Sequence, residues 1–191
     1  QNAISIDAIN KERLTTEAIR LTAIDNPNSA TQLKEWLSRE MDSEVSSLSK
    51  KDIPDLLSAT DCDIVSRVLT IRQEMAKTSV KKYHAMLNGI CEDNRLRGLL
   101  QFYGANRTGR WAGRLVQVQN LPQNHLSDLE LARTLVRTND ADSLEMCFGN
   151  VPDTLSQLIR TAFVAEEGKT FIVADFSAIE ARVIAWLAGE Q

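Results

Sequence analysis

The sequence predicts an α+β fold, and three observations lead there. Apolar residues recur at helical spacing through the first ninety positions. Half of the eight glycines (Gly98, Gly104, Gly109, Gly113) then crowd into sixteen residues that also hold short extended runs. Finally, a β-rich run, Thr170-Phe171-Ile172-Val173-Ala174, ends at Asp175 and leads through Phe176-Ser177 into an apolar helix. The chain has 191 residues, 43% of them hydrophobic and 25% charged, which fits a folded protein of one or two domains and excludes disordered or collagen-like chains. No apolar run approaches the roughly 20 residues that span a bilayer, and the first residues do not form a signal peptide. The expected setting is therefore the cytoplasm.

Ile6, Ile9, Leu14, Ala18, Ile19 and Leu21 predict a first helix up to about Asp25, broken by Asn26-Pro27-Asn28. Ser29 with Gln32 has capping-box spacing and opens a second helix through about Met41. The serine-rich stretch 43–51 reads as a loop and 52–59 as a short helix. Asp61 or Asp63 can cap a longer helix carrying Ile64, Val65, Val68, Leu69, Ile71 and Met75, and the pattern resumes through Lys82, Tyr83, Met86 and Leu87. Leu99–Tyr103 and Leu115–Val118 are the expected short strands. Leu126–Asn150 returns to helix, and Thr154 with Gln157 suggests another capped start.

Three cysteines, Cys62, Cys91 and Cys147, lie too far apart for a C-x-x-C site, and His84 and His125 do not complete a zinc pattern. Net charge is −4, yet Arg95, Arg97, Arg107, Arg110 and Arg114 fall in a stretch, 95–127, with no acidic residue. Such a cationic stripe in an acidic chain suits a local polyanion site as well as a solvated basic loop. Gly104-Ala-Asn-Arg-Thr-Gly109 mimics P-loop glycine spacing, but Arg110 and Trp111 stand where Lys and a hydroxyl residue are needed. Asp175, at the end of a strand, can hold a hard cation through oxygen. It can equally sit ahead of a helix capped by Ser177 and Glu180. The amides of Gln117, Gln119 and Asn120 can donate to minor-groove acceptors, or close a turn before Pro122.

Taken in order, these segments resemble family A DNA polymerases, the DNA polymerase I type. Thr108-Gly109-Arg110 followed by Gln119-Asn120-Leu121-Pro122 is similar to their TGR…QNIP motif, and Val173-Ala174-Asp175-Phe176-Ser177-Ala178-Ile179-Glu180-Ala181-Arg182 to their motif A. The wording around Ala178 and Ala181 is most similar to phage members. Asn28–Leu33 and Ala76-Lys77-Thr78-Ser79 resemble the helical thumb more loosely.

The resemblance implies a thumb-type region over 1–94 and the first part of a palm over 95–191, with a helical insertion at about 126–150. The palm sheet would be mixed or antiparallel, and the fingers and the rest of the palm would follow Gln191. By the same resemblance Asp175 and the backbone carbonyl of Phe176 would hold Mg2+, and Glu180 would be the steric gate against ribonucleotides. Arg110, Gln117, Gln119 and Asn120 would contact primer-template DNA, Lys77, Lys81 and Lys82 its phosphates, and Arg182 and Ser177 would support the site. The substrates would be a primer 3′-hydroxyl and a dNTP, joined by a two-metal reaction. The second metal-binding carboxylate belongs to a motif beyond Gln191, so this stretch is expected to be inactive by itself. A monomer is expected, with an exposed sheet edge able to pair with another chain. Two other classes stay open on the residues: a metal-dependent nuclease of RNase H-like fold, and a non-catalytic DNA-binding module.

Overall fold

Helix α1 (Asn2–Thr22) turns one side inward through Ala3, Ile6, Asp7, Asn10, Leu14, Ala18 and Thr22, three or four residues apart. In this computed structural model, which describes residues 1–77 and 80–190, α1 stops three residues before the expected end. Ala23 takes a left-handed conformation (φ 55°), and its N–H closes the helix on the Ile19 carbonyl at 2.8 Å. Helix α2 (Ala30–Glu40) starts at Ser29, whose side chain accepts from the Gln32 N–H. The reciprocal half of the capping box differs: Gln32 Oε1 accepts from the Asn26 N–H at 3.1 Å, tying the preceding turn to the helix.

Leu33, Trp36 and Leu37 of α2 pack with Ile53 of α3 (Ile53–Ser58) and with Val65, Val68 and Leu69 of α4 (Asp63–Met75). The loop between α2 and α3 is gathered by Asp52, which accepts from the hydroxyls of Ser47 and Ser49 at 2.5 and 2.6 Å. Neither Asp61 nor Asp63 caps α4; Cys62 occupies the cap position and makes no side-chain cap bond. Helix α5 (Lys81–Gly89) follows, and its Tyr83 hydroxyl donates to the Leu155 carbonyl at 2.7 Å. Burial pushes that phenol well above its ordinary range.

Strands β1 (Leu100–Ala105) and β2 (Arg110–Gly113) form an antiparallel pair with Leu100 opposite Gly113 and Gln101 opposite Ala112. A bulge intervenes before Ala105 meets Arg110. The first of the two expected strands is thus present, but its partner is Arg110–Gly113, not Leu115–Val118. Leu115 and Gln117 both have positive φ, at 55° and 52°, which breaks an extended backbone, and Val118–Asn120 closes as a 3-10 turn.

The stretch expected as one helix over 126–150 is two, α6 (Leu129–Arg137) and α7 (Ala141–Phe148), followed by α8 (Val151–Leu158). Each starts on its own side-chain cap: Asp128 accepts from Leu131 N–H, Asp140 from Ser143 N–H, and Asn150 from Asp153 N–H. Thr154 therefore lies inside α8, not at its start, and its hydroxyl donates to the Asn150 carbonyl at 3.0 Å. Ala132, Ala141, Leu144, Val151, Leu155 and Leu158 form one core cluster with Ala3 and Ile6, so α6–α8 are built onto the first helix.

The β-rich run 170–174 forms no strand. Ile172 and Val173 are 92% and 91% exposed, and the backbone finds no ladder partner among the described residues. Propensity alone does not hold an extended segment; a neighbouring strand does. Helix α9 (Ile179–Ala188) then ends the described chain.

Candidate functional site

The hairpin turn between β1 and β2 is set by two backbone bonds, from Thr108 and Gly109 N–H to the Ala105 carbonyl at 3.0 and 2.8 Å. Gly109 sits at φ 67°, and the Tyr103 ring lies over it so closely that an added Cβ would fall 2.7 Å from Tyr103 Cε2. Arg110 leaves this turn as the first residue of β2. Its Nη2 donates to Glu180 Oε1 at 2.8 Å, across 70 positions of sequence. Glu180 lies in the first turn of α9, where the helix N-terminus favours a carboxylate. Both side chains are largely exposed, so the pair says more about placement than about stability.

The Gln117–Pro122 segment is anchored from below and from the side. Val116 and Leu121 are buried with Ile159, and the Arg160 guanidinium donates to the carbonyls of Leu121 and Pro122 at 2.7 and 2.9 Å. Gln119 lies against Gly113, leaving no room there for a side chain. Asn120 Nδ2 donates to Gln117 Oε1 at 3.4 Å, and Lys82 Nζ donates to the Asn120 carbonyl at 3.2 Å. Burial, then the nearby Arg160, pulls the Lys82 ammonium below its ordinary value. Lys81 is exposed one residue before. Lys77 is turned elsewhere: its ammonium meets Asp153 Oδ1 at 2.6 Å and holds that carboxyl below its usual range. Thr78 and Ser79, the rest of that thumb-like motif, lie outside the described residues.

Asp175 and Phe176 are exposed in the irregular stretch before α9. The helix does not start on a Ser177 hydroxyl; Ala178, at φ 52°, is the cap residue and makes no side-chain bond. Ser177 contributes its carbonyl instead, which accepts from Arg182 Nε at 2.8 Å and fixes the turn after Asp175 to α9. Oxygen donors suit a hard cation, and Asp175 with the Phe176 carbonyl offers that chemistry. Among the described residues no group of three or more His, Cys, Asp or Glu side chains is gathered for a metal. The glycines at 104 and 109 flank a hairpin turn and not a strand-to-helix loop, so the P-loop spacing has no structural counterpart. An open groove of about 970 Å³ beside α5, lined by Tyr83, Met86, Leu96, Leu99 and Phe163, contains none of the predicted site residues.

The structure therefore unites Arg110 with Glu180, Lys82 with Asn120, and Arg182 with Ser177. Sequence reasoning missed Arg160, whose role depends on a fold contact with no local signature.

A family model, DNA polymerase family A, matches residues 7–191. The chain belongs to that family. It is 58% identical over all of its 191 residues to the DNA polymerase of Bacillus phage SP02, of which it spans 29%. It is 26% identical over 183 residues, 94% of the chain, to DNA polymerase I of Borreliella burgdorferi, covering 17% of that protein. The thermostable DNA polymerase I of Thermus thermophilus is 43% identical over 61 residues, 31% of this chain and 7% of that one. No solved structure matches. The chain thus corresponds to less than a third of its curated phage relative, and the TGR-type turn and the motif A segment both lie within the stretch matched by the family model.

Proposed function

We propose that the chain is the thumb and first palm portion of an enzyme that copies DNA, adding a dNTP to a primer 3′-hydroxyl. The observation that carries this reading is the Arg110–Glu180 contact, which draws the TGR-type turn and motif A to one place. A primer terminus held by the first and an incoming sugar gated by the second must themselves be adjacent, as this pairing makes their holders.

In the reaction a bond forms between the primer 3′-oxygen and the α-phosphorus, the α–β bridging bond breaks, and pyrophosphate leaves. Asp175 and the Phe176 carbonyl would hold Mg2+, with a second carboxylate supplied by the rest of the enzyme. Bound there, the metal would activate the attacking oxygen and stabilise the leaving one. Arg182 is a positioning residue: by holding the Ser177 carbonyl it sets the direction of the turn that carries Asp175. Arg110, Gln117, Gln119 and Asn120 would donate to minor-groove acceptors, which are nearly alike for every base pair and so suit an enzyme that copies any sequence. Lys81 and Lys82 would meet backbone phosphates, while Lys77 would first have to leave Asp153. Glu180 would occupy the space of a ribose 2′-hydroxyl. The partners are primer-template DNA and a dNTP, the working form a monomer in the host cytoplasm, and no helix of the described residues is long and apolar enough to cross a membrane.

Nucleotide discrimination tests the reading. The full-length enzyme with Glu180→Ala is expected to incorporate ribonucleotides about 100-fold more readily relative to dNTPs than wild type, a difference of about 2.7 kcal/mol. Unchanged discrimination overturns the gate. Primer degradation without extension replaces the polymerase by a nuclease, and DNA binding without either reaction leaves a binding module.

A further inference from the structure

The hairpin carries an aromatic pair that none of the roles above uses. Phe102 on β1 and Trp111 on β2 lie across from one another on the same face. Their ring centroids are 5.2 Å apart with planes at 69°, yet Phe102 is 71% and Trp111 60% exposed. Edge-to-face packing of this kind leaves ring faces open to a third planar group. Tyr103, next in the strand, takes φ 51° at the bulge, a conformation uncommon for an aromatic residue. That backbone reversal lets Tyr103 cover Gly109 while Phe102 remains opposite Trp111.

The surroundings decide what such a surface would hold. Arg107 sits in the turn that joins the two strands, exposed, and makes no hydrogen bond or ion pair among the described residues. Arg110 follows on β2, and no acidic residue occurs from Arg95 to Ser127. Arg110 is already bonded to Glu180, whereas a protein partner of apolar chemistry would leave the Arg107 guanidinium unmatched. A nucleic acid matches both features, with a phosphate for Arg107 and base faces for the rings. Bases inside a duplex have both faces covered by their neighbours, whereas an unpaired base leaves its faces free to stack here.

We propose that Phe102 and Trp111 form a stacking platform for an unpaired nucleobase of single-stranded DNA, with Arg107 holding its phosphate. The proposal rests on the copying function above and adds to it a site for the unpaired strand beside the turn that presents Arg110.

The test uses the full-length enzyme and two probes, an oligothymidylate and a covalently closed circular duplex, which has no exposed end. Phe102→Ala and Trp111→Ala are each expected to weaken oligothymidylate binding about tenfold, within the range of a base stacked on an aromatic side chain. Duplex affinity should stay within about twofold, and Trp111→Phe should bind both probes like wild type. Oligothymidylate should also quench tryptophan fluorescence in wild type, and much less in Trp111→Phe, although Trp36 and Trp186 remain. Circular dichroism separates lost stacking from lost folding. Should the alanine variants not fold, the quenching comparison still decides, because Trp111→Phe keeps the ring. Equal weakening toward both probes, unchanged oligothymidylate binding, or quenching that persists in Trp111→Phe overturns the platform. If wild type extends primers while these results fail, the platform alone is wrong; if wild type neither binds nor extends, the copying function fails with it.

Discussion

Tyr103 and Gly109 show how much of the site depends on single backbone angles. Only glycine takes φ 67° without cost, and here the Tyr103 ring also fills the space of a side chain. Gly109→Ala should lower stability by about 1–2 kcal/mol from the left-handed conformation alone, and by more from the contact. A lower melting temperature together with weaker primer-template binding, through misplaced Arg110, is the expected result. Two glutamates should respond to pH in opposite senses. The Arg67 guanidinium bonds Glu17 at 2.7 and 2.8 Å and holds its carboxyl below the ordinary value. That contribution is present above the unfolded pKa and is lost as pH falls through the lower folded one. Glu17→Gln should therefore melt below wild type at neutral pH, with the gap closing in acid. Burial raises the Glu74 carboxyl instead, so its ionised form opposes folding. Glu74→Gln should melt above wild type at neutral pH, and that difference too should vanish once both folded and unfolded forms are protonated.

Helix starts show where local chemistry was readable in the sequence and where it was not. Ser29 was legible because a hydroxyl three residues ahead of Gln32 has few other uses before an apolar repeat. Thr154 and Gln157 have the same spacing, yet Asn150 starts α8 earlier and puts Pro152 in its first turn, where a missing N–H costs nothing. The break between α6 and α7 was hidden because Asn139 leaves the helix by a positive φ of 58°, which composition does not reveal. Asp140→Ala should remove the cap of α7 and cost about 1 kcal/mol, measured by chemical denaturation. The TGR-type turn and motif A were legible as patterns, but their contact was not. A bond across 70 positions has no signature in the residues around either partner. The extended run 170–174 fails for a related reason. Its β-rich sequence matches a strand, but pairing is a property of two segments, and no second one lies beside it among the described residues.

On the scale of the whole molecule, α1 is the element that ties the two halves together. Ile6 is fully buried between the start of the chain and the cluster formed by Leu144, Leu155 and Leu158. Ile6→Ala should cost about 2–5 kcal/mol. Loss of hydrogen-exchange protection in α6–α8 as well as α1 would show that the helices of 126–158 are part of one core. The same core positions the chemistry, because α8 continues into Ile159 and Arg160, which hold the Gln117–Pro122 segment from below. A chain of packing thus runs from the first helix to the proposed DNA contacts, while the segment bearing Asp175 remains on the surface. The role proposed for Asp175 is to hold the metal of a DNA-copying reaction. Primer extension by the full-length enzyme, titrated with Mg2+ and compared with Asp175→Asn, tests it most directly. Metal-dependent dNTP incorporation is expected to fall by at least about 1,000-fold in the variant, some 4 kcal/mol of the barrier, with primer-template binding retained. Extension that persists in Asp175→Asn would contradict it.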